Sequence, residues 1–201
     1  MQDDLIWQAE FNRLIKELKG YWAEGRSLAD TGMVKLEEKS IRQFVYGYPT
    51  FSGERDGVRV SVTIEYFHHA VTSLMNDGDH VEFLHLSVRQ PQKGFISLRH
   101  EKWFDGLRNK LSTEWEHKTG HPELDQQYFV EARTPENQEF VASPRFHALV
   151  RRLEPMASLA LRDSAVFWSI PIDSESQLTV EYVDSHWANL TELSRLDMAV
   201  R

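Results

Sequence analysis

His117, His121 and Asp125 are spaced four apart, and on an unbroken helix that spacing would stack two imidazoles and a carboxylate on one side, a donor set suited to a divalent metal. Gly120 and Pro122 interrupt that register. A glycine here takes the left-handed position that ends a helix, and a proline just beyond supplies the stop. Glu116 to Phe129 is therefore expected to be a helix end followed by a strand entry. His117 and Lys118 would complement the negative end of the helix dipole, and Asp125 would hold the turn. No metal, cofactor-binding or catalytic residue is assigned, and no cofactor is expected.

The other histidines fare no better as ligands. His68 and His69 are adjacent near a strand end, where successive side chains point to opposite faces. His85, between Leu84 and Leu86, and His100 read as sheet-surface residues. The local carboxylate pairs Glu37-Glu38, Asp77-Asp79 and Glu123-Asp125 read as solvated or capping groups. Serine-nucleophile, phosphate-loop, dinucleotide, zincin and calcium-loop patterns are missing. The absence of cysteine excludes disulfides, thiolate metal sites and thiol catalysis.

The net charge of −8, with basic residues dispersed among acids, leaves no electrostatic footprint for a polyanion, so nucleic acid is not an expected partner. A hydrophobic share of 41% and a charged share of 27% match globular usage and argue against disorder. The start, Met1-Gln2-Asp3-Asp4, is acidic where a secretory signal is basic. No apolar run approaches the roughly 20 residues that span a bilayer. A cytoplasmic protein without an integral membrane segment is expected.

The elements that would position any site follow from periodicity. Leu5 to Glu24 has the apolar spacing of one helical face, suited to packing on a core or on a partner. With the connector to Thr31 it forms a proposed N-terminal unit, 1–31, ahead of a single α+β domain, 32–201; Gly25 to Ile41 is the plausible boundary. Phe44 to Phe51 and Val58 to Tyr66 read as strands around a turn at Ser52 to Gly57. Asn76 to Asp79 is a turn, Val81 to Val88 and Phe95 to Leu98 are strands, and Trp103 to Trp115 returns to helical spacing. Tyr128 to Ala132 is a strand, and a helix from Pro135 to Leu153 should break or kink at Pro144. Leu159 to Leu161 and Ala165 to Ile170 form a hairpin. The tail is helical from about Glu175, with Ser174 and Gln177 at capping-box spacing; the alternative is a strand at Leu178 to Tyr182 with the helix starting near Asp184. Clustered rather than alternating elements predict an α+β fold, an antiparallel sheet packed by several amphipathic helices.

From Thr119 to Phe129, and on through the helix to Leu153, the chain resembles bacterial proteins of unknown function in which a helix ends in Thr-Gly-Asp-Pro-x-Phe-Asp. Two further residues and an aromatic follow there, then a strand, a helix and a terminal hairpin with a helix. Gly53, Gly57 and Val60 are similar to an upstream Gly-x-x-x-Gly-x-x-Val entry. His121 and Leu124 stand where that pattern has aspartate and phenylalanine, leaving Thr119, Gly120, Pro122, Asp125 and Phe129 as matches, with Glu123 at the open position. The resemblance implies an order of elements and no activity.

Two functions are expected. One is a soluble, non-catalytic interaction or ligand-binding protein of adaptor, chaperone-like or immunity type, working through a protein partner or by self-association, with Trp7, Trp22 and Trp187 as partner-facing anchors. The other is an enzyme whose site is assembled from distant groups, among them His85, His100, Asp125 and Glu131.

Overall fold

Alternating residues of a strand point to opposite faces, and this chain uses that rule with little exception. The computed structural model describes residues 6–23, 50–55, 57–66, 81–89, 94–100, 116–162 and 165–196. Within them lie strands β1 (Thr50–Arg55), β2 (Val58–Tyr66), β3 (Glu82–Arg89), β4 (Ile96–His100), β5 (Tyr128–Ala132), β6 (Ser158–Arg162) and β7 (Ala165–Pro171). They form one seven-stranded sheet in the order β1-β2-β3-β7-β6-β4-β5, with every pairing antiparallel.

Register aligns two apolar rows across all seven strands. One runs Phe51, Val62, Leu86, Trp168, Leu159, Leu98, Val130; the next runs Gly53, Val60, Val88, Val166, Leu161, Ile96, Ala132. The side chains in both rows are buried. Each large one contributes about 1.5–3 kcal/mol on burial. A one-residue slip of any strand would turn its whole apolar set to the other face, so the register is strongly fixed.

Helices cover this face. They are α1 (Gln8–Ala23), α2 (Pro122–Gln127), α3 (Pro135–Val141), α4 (Pro144–Arg152) and α5 (Val180–Ser194), with a short 3-10 helix at Glu175–Leu178. α5 lies on β2, β3 and β7; α4 and α1 pack against α5; α2 and α3 pack on β5. Phe11, Leu14 and Leu18 of α1 are fully buried in the same core. The α1 entry is held from a distance: the buried Glu82 carboxylate on β3 accepts the backbone N–H of Ile6 and, at 3.1 Å, that of Trp7. On the same helix-covered face, the largely buried Arg55 at the end of β1 meets Asp184 of α5 at 3.0 Å.

The α+β class and the helix-covered antiparallel sheet agree with the sequence reading. Pro144 divides the expected helix into α3 and α4, each with proline in its first turn and an N-cap hydroxyl: Thr134 accepts from the N–H of Asn137, and Ser143 from that of Phe146. At the tail, the Gln177 side chain accepts the N–H of Ser174 at 3.1 Å, and α5 follows at Val180 rather than a strand. Other boundaries move. Ser52 to Arg55, expected in a turn, belongs to β1, because Arg55 pairs with Val58 and Gly57, at φ 75°, closes a tight hairpin. The Gly25 to Ile41 boundary, the Phe44 to Pro49 run, the Asn76 to Asp79 turn and the Trp103 to Trp115 helix lie outside the described residues.

The Glu116 to Phe129 join also differs. Glu116 bridges to Glu131, and the His117 N–H donates to the Val130 carbonyl at 2.8 Å, so this stretch is extended along the edge of β5, and His117 and Lys118 cap no helix there. Gly120 does take positive φ, 81°. Pro122 then opens α2 instead of blocking a continuation, because proline's missing N–H costs nothing in a first turn.

Candidate functional site

The sheet's other face is polar. Its central row runs Thr50, Thr63, His85, Ser169, Ser158, Arg99, Phe129; the adjacent row runs Ser52, Ser61, Ser87, Phe167, Ala160, Ser97, Glu131. Cross-strand hydroxyls meet within these rows, Ser61 with Ser87 at 2.6 Å and Ser158 with Ser169 at 2.7 Å. Small hydroxyl side chains satisfy one another at strand spacing.

His85 sits in the middle of the first row. Its ring is partly exposed while Nε2 is shut off from solvent. Burial disfavours the imidazolium and pushes its pKa down to about 4. Thr63 and Ser169 on either side are buried, whereas the serines of the second row are half-buried and Phe167 is 37% exposed.

Arginines gather toward the Gly57 end of this face. Arg59, Arg89 and Arg162 are exposed at the ends of β2, β3 and β6, and Arg133 follows β5. Arg59 faces Glu54 across the β1–β2 ladder. Glu131, nearly buried, holds Arg133 at 2.7 Å and Arg99 at 3.5 Å. Three guanidinium groups lie over rings: Arg133 over Phe95 at 4.1 Å, Arg99 over Phe129 at 5.3 Å and Arg162 over Phe167 at 5.4 Å. Arg89 and Arg162 both pair in the ladder with Ala165, which stands between them.

A second polar cluster lies at the α2 entry. Asp125 accepts from the Thr119 N–H at 2.8 Å, the Thr119 hydroxyl at 2.9 Å and the Gly120 N–H at 3.2 Å. This is the turn-holding role expected of it. His121 meets the His147 ring edge to face, and a ring nitrogen of the buried His147 lies 2.6 Å from the Val141 carbonyl. Burial, with a smaller contribution from His121, lowers the His147 pKa. His117 thus joins the edge of β5 through its backbone, while His121 meets a neighbouring ring and Asp125 holds a backbone turn. Among the described residues, no group of three His, Cys, Asp or Glu side chains is placed to hold a metal ion.

The four residues considered for a distant enzyme site do not meet. His85 is on β3 and Glu131 on β5, with β7, β6 and β4 between them in the sheet. The His100 ring stands edge-on to Tyr128 at 5.3 Å, and Asp125 is engaged in its turn. Two of the proposed partner-facing tryptophans are placed elsewhere: Trp187 is fully buried and donates to the Ser61 carbonyl at 3.2 Å, and Trp7 packs against the core. The side chain of Trp22, and His68 and His69, lie outside the described residues. Among the described residues the exposed large aromatic is Phe167, expected in a hairpin strand with no face assigned to it. The only signal for it was the alternation Val166, Trp168, Ile170 against Phe167 and Ser169.

Among the described residues no helix is long and apolar enough to cross a membrane. Compared with family models, curated proteins and solved structures, the chain matches none.

Proposed function

We propose that the protein works by binding a protein partner on the polar face of its sheet, as a soluble, non-catalytic interaction module of adaptor, chaperone-like or immunity type acting in the cytoplasm. The observation that supports this reading is the division of labour between the two faces. Helices cover the apolar rows, while the row containing Ser61, Ser87, Phe167 and Ala160 remains half-buried to exposed on a surface that every strand braces through its neighbours. A hydrogen-bonded sheet presents such side chains with little conformational freedom left to lose, which lowers the cost of association. The rival enzyme reading would need His and carboxylate groups to converge, and of its candidates His85 and Glu131 stand on strands separated by three others.

The test places a bulky charge in the middle of the face. Ala160 is half-buried between Phe167 and Ser97. Partners captured from native host extract by the wild-type chain should be lost with Ala160→Arg while the melting temperature changes little. Capture that is indifferent to Ala160→Arg, or a wild-type chain that stays a partnerless monomer, would count against this function.

A further inference from the structure

Resting on that reading, the geometry points to the chemistry of the partner: we infer that Arg89 and Arg162 form a two-point anion clamp for an acidic, extended protein segment, with Phe167 receiving an apolar side chain between the two charges. Charge complementarity carries this. Of the arginines on the polar face, Arg59 faces Glu54 in the ladder, and Arg99 and Arg133 share Glu131. Arg89 and Arg162 instead face Ala165, whose methyl group leaves space between them. Two strand spacings separate them, about 10 Å.

Phe167 lies two residues along β7 from Ala165, on the same face, and is exposed. The Arg162 guanidinium rests near its ring, an arrangement that leaves guanidinium N–H groups able to grip a carboxylate with two parallel hydrogen bonds. In an extended segment, side chains on one face recur at roughly 7 Å. Carboxylates two positions before and two positions after an apolar residue share its face, about 14 Å apart, and come within reach of both long arginine side chains while the apolar group settles on Phe167. A nucleic acid strand fits less well. It carries a continuous run of charge, whereas this face offers two cations without an opposing carboxylate among the described residues and sets Glu54 and Glu131 beside the others, in a chain of net charge −8.

The experiment titrates the full chain, by fluorescence anisotropy, into three labelled probes: a short peptide repeating aspartate, serine, phenylalanine and serine, so that aspartate and phenylalanine share one face, the same peptide with asparagine for aspartate, and oligothymidylate. The acidic peptide is expected to bind, to weaken with added salt, and to bind about ten-fold more tightly than its asparagine counterpart, as expected for charge pairs worth a little over one kilocalorie per mole. Arg89→Glu and Arg162→Glu should each weaken it by at least about ten-fold, with unchanged melting curves because both side chains are exposed. Equal binding of the two peptides, tighter binding of oligothymidylate, or no binding of any probe overturns the clamp. The wild-type comparison decides this even if a variant misfolds. If the clamp fails while Ala160→Arg still abolishes partner capture, the binding face stands and only its acidic partner is wrong.

Discussion

His85 occupies the centre of a row of hydroxyls, and a buried base there ties stability to pH. Burial lowers its pKa from 6.5 to about 4 in the folded chain. Between those values the unfolded chain takes up a proton that the folded chain refuses, so stability is complete above about pH 6.5 and falls as the pH drops toward 4. The loss through this one group is at most about 3 kcal/mol, and less to the extent that the partly exposed ring is screened. His147 and His186, also lowered chiefly by burial, act in the same direction. His85→Gln should therefore flatten part of the acid-side decline in urea unfolding followed from neutral pH downward; a variant whose decline matches the wild type would show that His85 is not its source. At this scale the sequence was readable where chemistry is local. Asp125 could be assigned to its turn because Thr119 and Gly120, whose groups it accepts, lie within six residues. The His121 contact with His147 was not readable, because it depends on how α4 is folded back beside the α2 entry.

Elements were legible where a period repeats and ambiguous where one residue type serves two purposes. The alternation in β2 identified a strand and its buried face, β7 was legible as a hairpin strand, Pro135 marked a helix start and Pro144 a break. Pro122 was misread as a stop because proline just beyond a helix and proline at N1 look alike until the neighbouring backbone is known. Strand order was not legible either, and the arginine row depends on it: Arg89 and Arg162 share Ala165 as a neighbour only because β7 is inserted between β3 and β6. The attachment of the edge strand β1 to α5 makes a testable case. Removing one partner of a buried ion pair leaves the other charge without compensation, so Asp184→Ala should cost about 3 kcal/mol in chemical denaturation and quicken amide exchange in β1. Replacing both, Arg55→Met with Asp184→Leu, should recover most of that loss; a double variant as weak as the single would assign the cost to lost packing instead.

For the molecule as a whole, the placement of α1 decides how the parts cooperate. A separate N-terminal unit over 1–31 was a reasonable expectation from an amphipathic face that would suit either a core or a partner, and periodicity cannot choose between them. Phe11, Leu14 and Leu18 lie in the core shared with the sheet and α5, and the cap that receives the N–H groups of Ile6 and Trp7 is Glu82, a β3 residue far along the chain. A carboxylate at this position satisfies donors that the helix cannot, and its charge favours the positive end of the helix dipole. Glu82→Ala would leave those part-buried donors without their acceptor, at a cost of about 1 kcal/mol. Because α1 and β3 share one core, that cost should move the single unfolding transition of the whole chain, seen alike in helical circular dichroism and in the near-ultraviolet signal of Trp168 and Trp187 within the core. Two separated transitions, with the tryptophan signal unmoved and only helicity lost, would mean that α1 melts on its own and that the sheet with α5 is a complete folding unit without it.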